Sequence, residues 1–231
     1  MNRQNMMKRW PRSAASCLCW NRATTEEATV HCSRHFIHSR YRQVLYRSPE
    51  RGIAQTPPSH LRHAAVLMPL VETNGDLQVL FTQRAAHLRQ HAGQISFPGG
   101  RVEDGDASPL ATALREAEEE ISLRPSQVEI LGPLPPFITS TSQFFIQPYL
   151  GFLHQFQLTR WDINEVDEVF FVPLSWLLDP ANRHRRIVTW QGQQHELFEF
   201  PWEGKRIWGA TAAMLISFIE LLGLTTLEHT Q

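Results

Sequence analysis

Four carboxylates follow one arginine within six residues, in the run 115–120, REAEEE. The Ala, Leu and Glu content of residues 109–121 predicts a helix, on which Glu116, Glu119 and Glu120 project from one face at i, i+3 and i+4. Like charges at this spacing destabilise a bare helix by about 0.2–0.5 kcal/mol per pair, so a bound cation would compensate them. Oxygen ligands on a rigid element favour a hard ion such as Mg²⁺ or Mn²⁺. The alternative is a solvated acidic face.

A glycine pair precedes this helix and favours the ion site. Phe97–Gly100 reads FPGG, and its glycines free the backbone to turn and approach a ligand. The loop that follows is acidic. Asp106 or Ser108 can cap the helix, and Pro109 fits its first turn. The sequence therefore predicts a glycine turn that leads through a loop into a helix with stacked carboxylates.

The two segments together resemble the Nudix box: Gly, five residues, Glu, seven residues, Arg-Glu, an apolar residue, any residue, Glu-Glu, any residue, Gly and an apolar residue. Gly100 supplies the first glycine, and residues 115–123 supply the second half. Asp106 replaces the first glutamate, with eight residues before Arg115, as if one residue were inserted. Ser122 replaces the last glycine, where a left-handed helix end costs a non-glycine residue about 1 kcal/mol.

The segment before the box indicates which branch of the family the chain resembles. Residues 80–85 read LFTQRA, and Arg89, Gly93 and Phe97–Gly100 follow at intervals of three residues. This pattern is similar to the signature of the coenzyme A diphosphatase branch of Nudix hydrolases, a branch also known for an inserted residue in its box. The resemblance implies an α/β (α+β) fold, a Nudix-type α/β/α sandwich with a mixed β-sheet between helices. It also implies metal-dependent hydrolysis of coenzyme A to 4′-phosphopantetheine and adenosine 3′,5′-bisphosphate.

The resemblance also implies roles for individual residues, with Mg²⁺ or Mn²⁺ as cofactor. Glu116 and Glu120 are expected as the principal metal ligands, and Glu119 as a further ligand or the general base. Arg115 is expected to orient a ligand carboxylate by a bidentate pair. Glu165 is expected near the metal as an outer ligand or base, or else as a solvated acid. Four residues are expected to bind substrate: Arg84, Arg89, Gly99 and Gly100. The two arginines either bind the diphosphate or the 3′-phosphate of coenzyme A or are ordinary surface residues.

Two other functions compete with this interpretation. The box specifies a diphosphate and a metal but not the flanking groups, so the substrate could be ADP-ribose or a dinucleotide such as NADH. The motif from Arg84 to Gly93 argues against that alternative. A non-catalytic nucleotide-sensing module could keep the fold without turnover, but every carboxylate of the run is present.

Charge is distributed unevenly along the chain. Residues 1–47 hold nine Lys or Arg and two acids, a balance of +7, which leaves −8 for the remainder of a chain with net charge −1. Residues 1–33 are predicted to be a disordered basic leader, typical of an organellar transit peptide or of an upstream region translated from a start codon assigned too early. Residues 34–60 are predicted as a helix and linker, and 61–226 as the hydrolase domain.

The charge and hydropathy of the chain also limit the classes of partner that it is expected to bind. An acidic domain does not favour nucleic acid, and the apolar runs are too short to span a membrane. We expect a small-molecule substrate, no nucleic-acid or membrane partner, and a cytoplasmic location, with organellar import if the leader is real. The three cysteines fall in the leader and imply neither a disulfide framework nor a zinc site.

Elsewhere the pattern predicts a hairpin of two strands and several further elements. Pro148 is expected to break a strand near an edge or bulge, and Trp208 to lie in the core. Residues 183–186 are expected to form a basic loop, either solvated or in contact with the adenosine phosphates of the substrate. The predicted strands are 64–71, 77–82, 128–131, 144–153, 165–172, 187–190 and 196–200, with a proline-rich exposed loop at 133–136 and helices at 35–45, 173–178 and 211–222.

Overall fold

A computed structural model describes residues 33–48, 54–73, 75–139, 142–154, 156–190 and 192–223. The leader up to residue 32, part of the linker (49–53), Asn74 of the predicted turn and the end of the predicted domain (224–226) lie outside these ranges. The domain boundaries expected from the sequence therefore stay predictions.

The elements follow the predicted order closely. The helices are α1 (Arg34–Arg47), α2 (Pro109–Ile121), α3 (Leu174–Leu178) and α4 (Gly209–Leu221). The strands are β1 (Arg62–Thr73), β2 (Asp76–Arg84), β3 (Ile95–Ser96), β4 (Gly99–Arg101), β5 (Val128–Pro133), β6 (Phe137–Ile138), β7 (Phe144–Leu153), β8 (Val166–Pro173), β9 (His184–Trp190), β10 (Gln193–Trp202) and β11 (Lys205–Trp208).

The main sheet is mixed. Its strands run in the order β3-β2-β1-β7-β5, and β4, β6 and β8 add to β1, β7 and β2. Strands β1 and β7 are parallel over ten residue pairs, whereas the neighbouring pairings are antiparallel. A second, three-stranded sheet has the order β11-β10-β9.

Helices cover both faces of the main sheet. Alternate residues of β1 point to opposite faces, and Leu67 packs with Ala113, Ala117 and Ile121 of α2. Met68 belongs to the other cluster, which contains the buried residues of α1, α3 and α4. The chain thus has the α/β/α sandwich with a mixed sheet that the resemblance implied, and this prediction is confirmed.

Two proline predictions need correction. Strand β7 continues through Pro148, which pairs with Val66 of β1 and lies between Ile146, paired with β6, and Tyr149, paired with β5. A strand tolerates proline where no neighbouring carbonyl needs its N–H. The register irregularity lies in β5, between Ile130 and Gly132. Pro133 is buried in β5 opposite Tyr149, whereas Pro135 and Pro136 lie in the predicted loop and are half-buried.

Three further predictions are corrected in the same way. Residues 184–186 lie in β9, because the acids of β10 offer partners to its arginines. Gly99 and Gly100 form part of β4 and pair with Val66 and Ala65, so the glycine pair is a strand where a turn was expected. The side chain of Trp208 is 39% exposed, since Ile207 takes the inward position of β11.

Helix α1 packs against the sheet through one buried phenol. Tyr41 is 2% exposed, and its hydroxyl donates to the carbonyl of Pro133 at 2.8 Å. Ile37, also buried, joins the same cluster as α4. Residues 34–47 are therefore attached to the core.

We expect the contribution of Tyr41 to stability to be lost in alkali. Burial raises its pKa from 10.0 to about 12, so the folded protein binds the phenolic proton more tightly than the unfolded chain. This contribution is complete below pH 10 and disappears as the pH rises through 12. Tyr41→Phe should lower the free energy of unfolding by about 1 kcal/mol at neutral pH.

Urea unfolding at pH 7 to 11.5 measures this effect. The wild type should lose stability more steeply above pH 10 than Tyr41→Phe does. Tyr46→Phe is the matched control, because Tyr46 lies on the same helix and is 89% exposed. Identical pH slopes for the wild type and Tyr41→Phe would contradict the assignment.

Candidate active site

Local sequence sets both ends of α2. The side chain of Ser108 caps the helix by accepting from the Ala111 N–H at 3.1 Å, and Pro109 occupies the first turn. Ser122 ends the helix in the left-handed conformation, with φ 55° and ψ 30°. The buried face, Ala113, Ala117 and Ile121, packs on the sheet and fixes how the glutamates are presented. Of the two candidate caps, Ser108 is the residue used.

Arg115 connects the loop before α2 with the carboxylates on it. Its Nε and Nη2 atoms donate to the two oxygens of Asp106 at 3.0 and 3.1 Å. The guanidinium also contacts Glu116 at 3.0 Å and Glu119 at 2.9 Å. These bonds hold the pKa of Asp106 well below its usual range. The bidentate partner is thus Asp106, while Arg115 also holds one oxygen of Glu116.

On this face Glu120 is buried and Glu116 is half-buried. The side chain of Glu120 is 3% exposed and that of Glu116 16% exposed, whereas Glu119 is 58% exposed. Burial raises the pKa of Glu120 to about 8, although the N–H of Gly99 donates to it at 3.3 Å. Burial also raises the pKa of Glu116, against the attraction of Arg115. The negative charge of Glu165 makes the smallest of these contributions and raises both pKa values further.

The glycine pair makes the space that these acids occupy. A Cβ on Gly99, where φ is 151°, would lie 2.4 Å from the carbonyl oxygen of Ala65. A Cβ on Gly100 would lie 2.4 to 2.5 Å from the carboxyl group of Glu116. Gly99 therefore allows β4 to approach β1, and Gly100 admits the carboxylate of Glu116.

Arg84 is the cation placed beside the buried pair. Its Nη1 atom lies 3.8 Å from Oε1 of Glu120, beyond hydrogen-bond distance. Its Nε atom is buried and has no hydrogen-bond acceptor within the described part of the chain. A guanidinium with an unused donor beside a buried acid is suited to an additional anionic group.

The loop from Ala85 to Gly93 is anchored beside the acids. The N–H of Ala85 donates to the carbonyl of Glu165 at 2.8 Å, and the N–H of Ala86 donates to the carboxylate of Asp167 at 2.8 Å. Arg89 lies exposed on this loop, and over the described ranges no ion pair joins it to an acid. The structure therefore brings Arg84 to the carboxylates and leaves Arg89 at the surface.

Sequence reasoning did not find two of these contacts. The carboxylate of Asp167 anchors the loop by accepting from the Ala86 N–H, and sequence reasoning did not single this residue out. The one feature that could have indicated it is the acid cluster at 165–168, at the start of a predicted strand. The Asp106–Arg115 pair had no signal in helical spacing, because Asp106 lies in the loop before α2.

The donor chemistry of the pair fits a divalent cation. Glu116 and Glu120 present oxygen donors from a rigid helix, and a buried pair of like charges is costly without a counter-ion. In the described ranges, no three His, Cys, Asp or Glu side chains are placed so that together they could hold a metal ion. Arg115 contacts two of the candidate ligands, Glu116 and Glu119. Mg²⁺ suits such a site, because it is commonly held by one or two carboxylates with water and phosphate oxygens.

Comparisons with known proteins agree with this fold. A family model described as the NUDIX domain matches residues 61–191. The uncharacterized Nudix hydrolase NudL of Shigella flexneri is 39% identical over 173 residues, covering 75% of this chain and 88% of the relative. The protein of the same description from Escherichia coli K12 is 41% identical over 154 residues, covering 67% and 79%.

Solved structures with the same type of fold are more distant. The Ap4A hydrolase of C. elegans, a binary complex, is 17% identical with a TM-score of 0.47, covering 71% of this chain and 98% of the other. The NUDIX domain of NrtR from Shewanella oneidensis, solved with ADP ribose, is 21% identical with a TM-score of 0.41, covering 57% and 86%. No functional statement about this chain rests on either likeness.

With the mixed sheet between helices and the carboxylate helix beside a glycine strand, the family match makes this chain a hydrolase that acts on phosphoanhydride bonds. The chain belongs to the Nudix family. Members of this family generally use divalent ions such as Mg²⁺ or Mn²⁺. Along the described residues, no helix is long and apolar enough to cross a membrane.

Proposed function

We propose that this Nudix hydrolase cleaves the diphosphate of coenzyme A, giving 4′-phosphopantetheine and adenosine 3′,5′-bisphosphate. The observation that supports it most is the position of Arg84, an arginine of the coenzyme A signature, 3.8 Å from the buried acid Glu120 of the box. One guanidinium thus connects the segment that would select the substrate with the helix that would act on it.

Glu116 and Glu120 would hold Mg²⁺ or Mn²⁺, with Glu119 as a further ligand or the general base. The bound ion supplies charge neutralisation on the diphosphate oxygens and lowers the pKa of the attacking water. The water oxygen forms a bond to one phosphorus while the bridging P–O bond breaks, and the departing phosphate keeps the electron pair. A carboxylate would take the proton of the water, and the candidates are Glu119 and Glu165, whose charge acts on Glu116 and Glu120.

The other expected site residues would position the substrate. Arg84 and Arg89 offer planar forks that match phosphate oxygens. Gly99 and Gly100 leave the backbone of β4 without side chains beside the acids, so a phosphate can approach it closely. Arg115 would fix the orientation of Glu116 without touching substrate.

A substrate comparison tests the proposal. With Mg²⁺ or Mn²⁺, the purified full chain should hydrolyse coenzyme A with a kcat/KM at least about 100-fold above those for ADP-ribose and NADH, a specificity difference of about 2.7 kcal/mol. Phosphorus NMR of the products in ¹⁸O water identifies the cleaved bond and the phosphorus attacked. Faster turnover of ADP-ribose or NADH than of coenzyme A would contradict the substrate, and no turnover of all three would favour a nucleotide-sensing module.

A further inference from the structure

A polar cleft, separate from the carboxylates of α2, opens beside the loop from Ala85 to Gly93. It has a volume of about 470 Å³, within the range that holds small ligands. One wall is formed by Gln83, Gly93 and Ile95 of the main sheet and its loop. The other is formed by residues 203–206 and Trp208 at the β10–β11 turn. We call it the hairpin cleft.

The hairpin cleft has an exposed aromatic surface. Strand β11 alternates, so Ile207 is buried in the core while Arg206 and Trp208 face away from it. Trp208 is 39% exposed, and the guanidinium of Arg206 lies over its ring at 5.0 Å. A partly exposed indole beside a guanidinium is suited to stack a purine base.

The cleft is also cationic. Lys205, Arg206 and Glu203 give its lining a net charge of +1. Lys205 is engaged by Glu168 at 3.1 Å, but Arg206 shares Glu199 with Arg186, at 3.7 and 3.6 Å. One carboxylate therefore faces two guanidiniums. The side chain of Arg206 is 51% exposed and can bind a further anion in the cleft.

Short connections link the cleft to the active site. The N–H of Gly93, in the cleft wall, donates to the carbonyl of Arg84 at 3.0 Å, and the N–H of Arg84 donates to Gln94 at 2.9 Å. The side chain of Arg84 lies beside Glu120. Since β2 ends at Arg84, the cleft and the acids lie at the same end of the sheet. A substrate with its diphosphate at Glu120 could reach the cleft with its nucleoside end.

We propose that the hairpin cleft binds the adenosine 3′-phosphate end of the substrate, with Trp208 against the adenine and Arg206 on the 3′-phosphate. The proposal rests on the proposed function, because it assigns one end of coenzyme A. It makes Arg206 a specificity residue that distinguishes a 3′-phosphorylated nucleotide from one without this phosphate.

The test compares two substrates that differ only in the 3′-phosphate. Arg206→Ala should lower kcat/KM for coenzyme A by about tenfold or more, because a charge-assisted bond is lost, and change that for dephospho-coenzyme A by less than about twofold. Trp208→Ala should lower kcat/KM for the two substrates by the same factor, because stacking on the adenine does not depend on the 3′-phosphate. Arg185→Ala is the matched control: Arg185 is exposed on β9, pairs with Glu196 and lies outside the cleft, so neither substrate should be affected.

Direct binding separates this proposal from the proposed reaction. By calorimetry, the full chain should bind adenosine 3′,5′-bisphosphate about tenfold or more tightly than adenosine 5′-monophosphate, and Arg206→Ala should abolish the preference. An equal fall in kcat/KM for coenzyme A and dephospho-coenzyme A in Arg206→Ala would overturn the proposal. Equal affinity of the wild type for the two nucleotides would also overturn it. If the nucleotide preference and its loss in Arg206→Ala are observed but coenzyme A is not hydrolysed, the reaction is wrong and the cleft assignment stands.

Discussion

Glu120→Gln should lower kcat for coenzyme A by roughly three orders of magnitude. The proposed role of Glu120 is to hold the ion that neutralises the diphosphate, a contribution of several kcal/mol, and each 1.36 kcal/mol is about tenfold in rate. The amide keeps the shape of the side chain but is a neutral and poorer ligand. Calorimetry with Mn²⁺ should show weakened binding in the same variant.

The fold should survive this substitution. Glu120 is 3% exposed, and in the described ranges its charge is compensated by a 3.3 Å bond from Gly99 and by the Arg84 guanidinium 3.8 Å away, beyond hydrogen-bond distance. A buried carboxylate without sufficient partners is unfavourable, so removal of the charge should leave the free energy of unfolding in EDTA undiminished. Glu118→Gln is the matched control, because Glu118 is exposed on the same helix and should leave kcat unchanged. Turnover of Glu120→Gln close to that of the wild type would refute the ligand assignment.

The spacing of the glutamates along α2 was sufficient to predict the acidic face, because helical geometry depends only on local sequence. Burial then distinguishes its members, since Glu116 and Glu120 face the sheet and Glu119 remains exposed. No local rule contains this distinction. It depends on how β4 is placed against the helix, with Gly100 beside Glu116 and the Gly99 N–H on Glu120.

The predictions that failed have a common physical origin. Pro148 has the composition signal of an edge or break, but β7 continues through it beside β1. Trp208 is large and apolar, yet the alternation of β11 turns it outward once Ile207 is buried. In both residues, strand pairing overrides the preference of the residue type.

The second large effect concerns the glycine pair of β4, where two neighbouring substitutions should fail differently. In Gly99→Ala the new Cβ would meet the backbone, 2.4 Å from the oxygen of Ala65 and 2.6 Å from Cα of Val66, at a φ of 151°. Backbone atoms of a central strand cannot move aside cheaply. We expect the free energy of unfolding to fall by roughly 2–4 kcal/mol. Activity should fall as well, because part of the protein is then unfolded.

In Gly100→Ala the new Cβ would meet the carboxyl group of Glu116 at 2.4 Å, and this group ends a flexible side chain that can rotate away. The free energy of unfolding should fall by about 1 kcal/mol or less, while kcat should fall by about 100-fold because a proposed ligand is displaced. Urea unfolding and turnover, measured on both variants, separate the two effects. Gly105→Ala is the control, since a Cβ there meets no atom within 4 Å. Should Gly100→Ala keep full turnover, Glu116 could not be a ligand in its observed position, because that position and the new methyl group exclude each other.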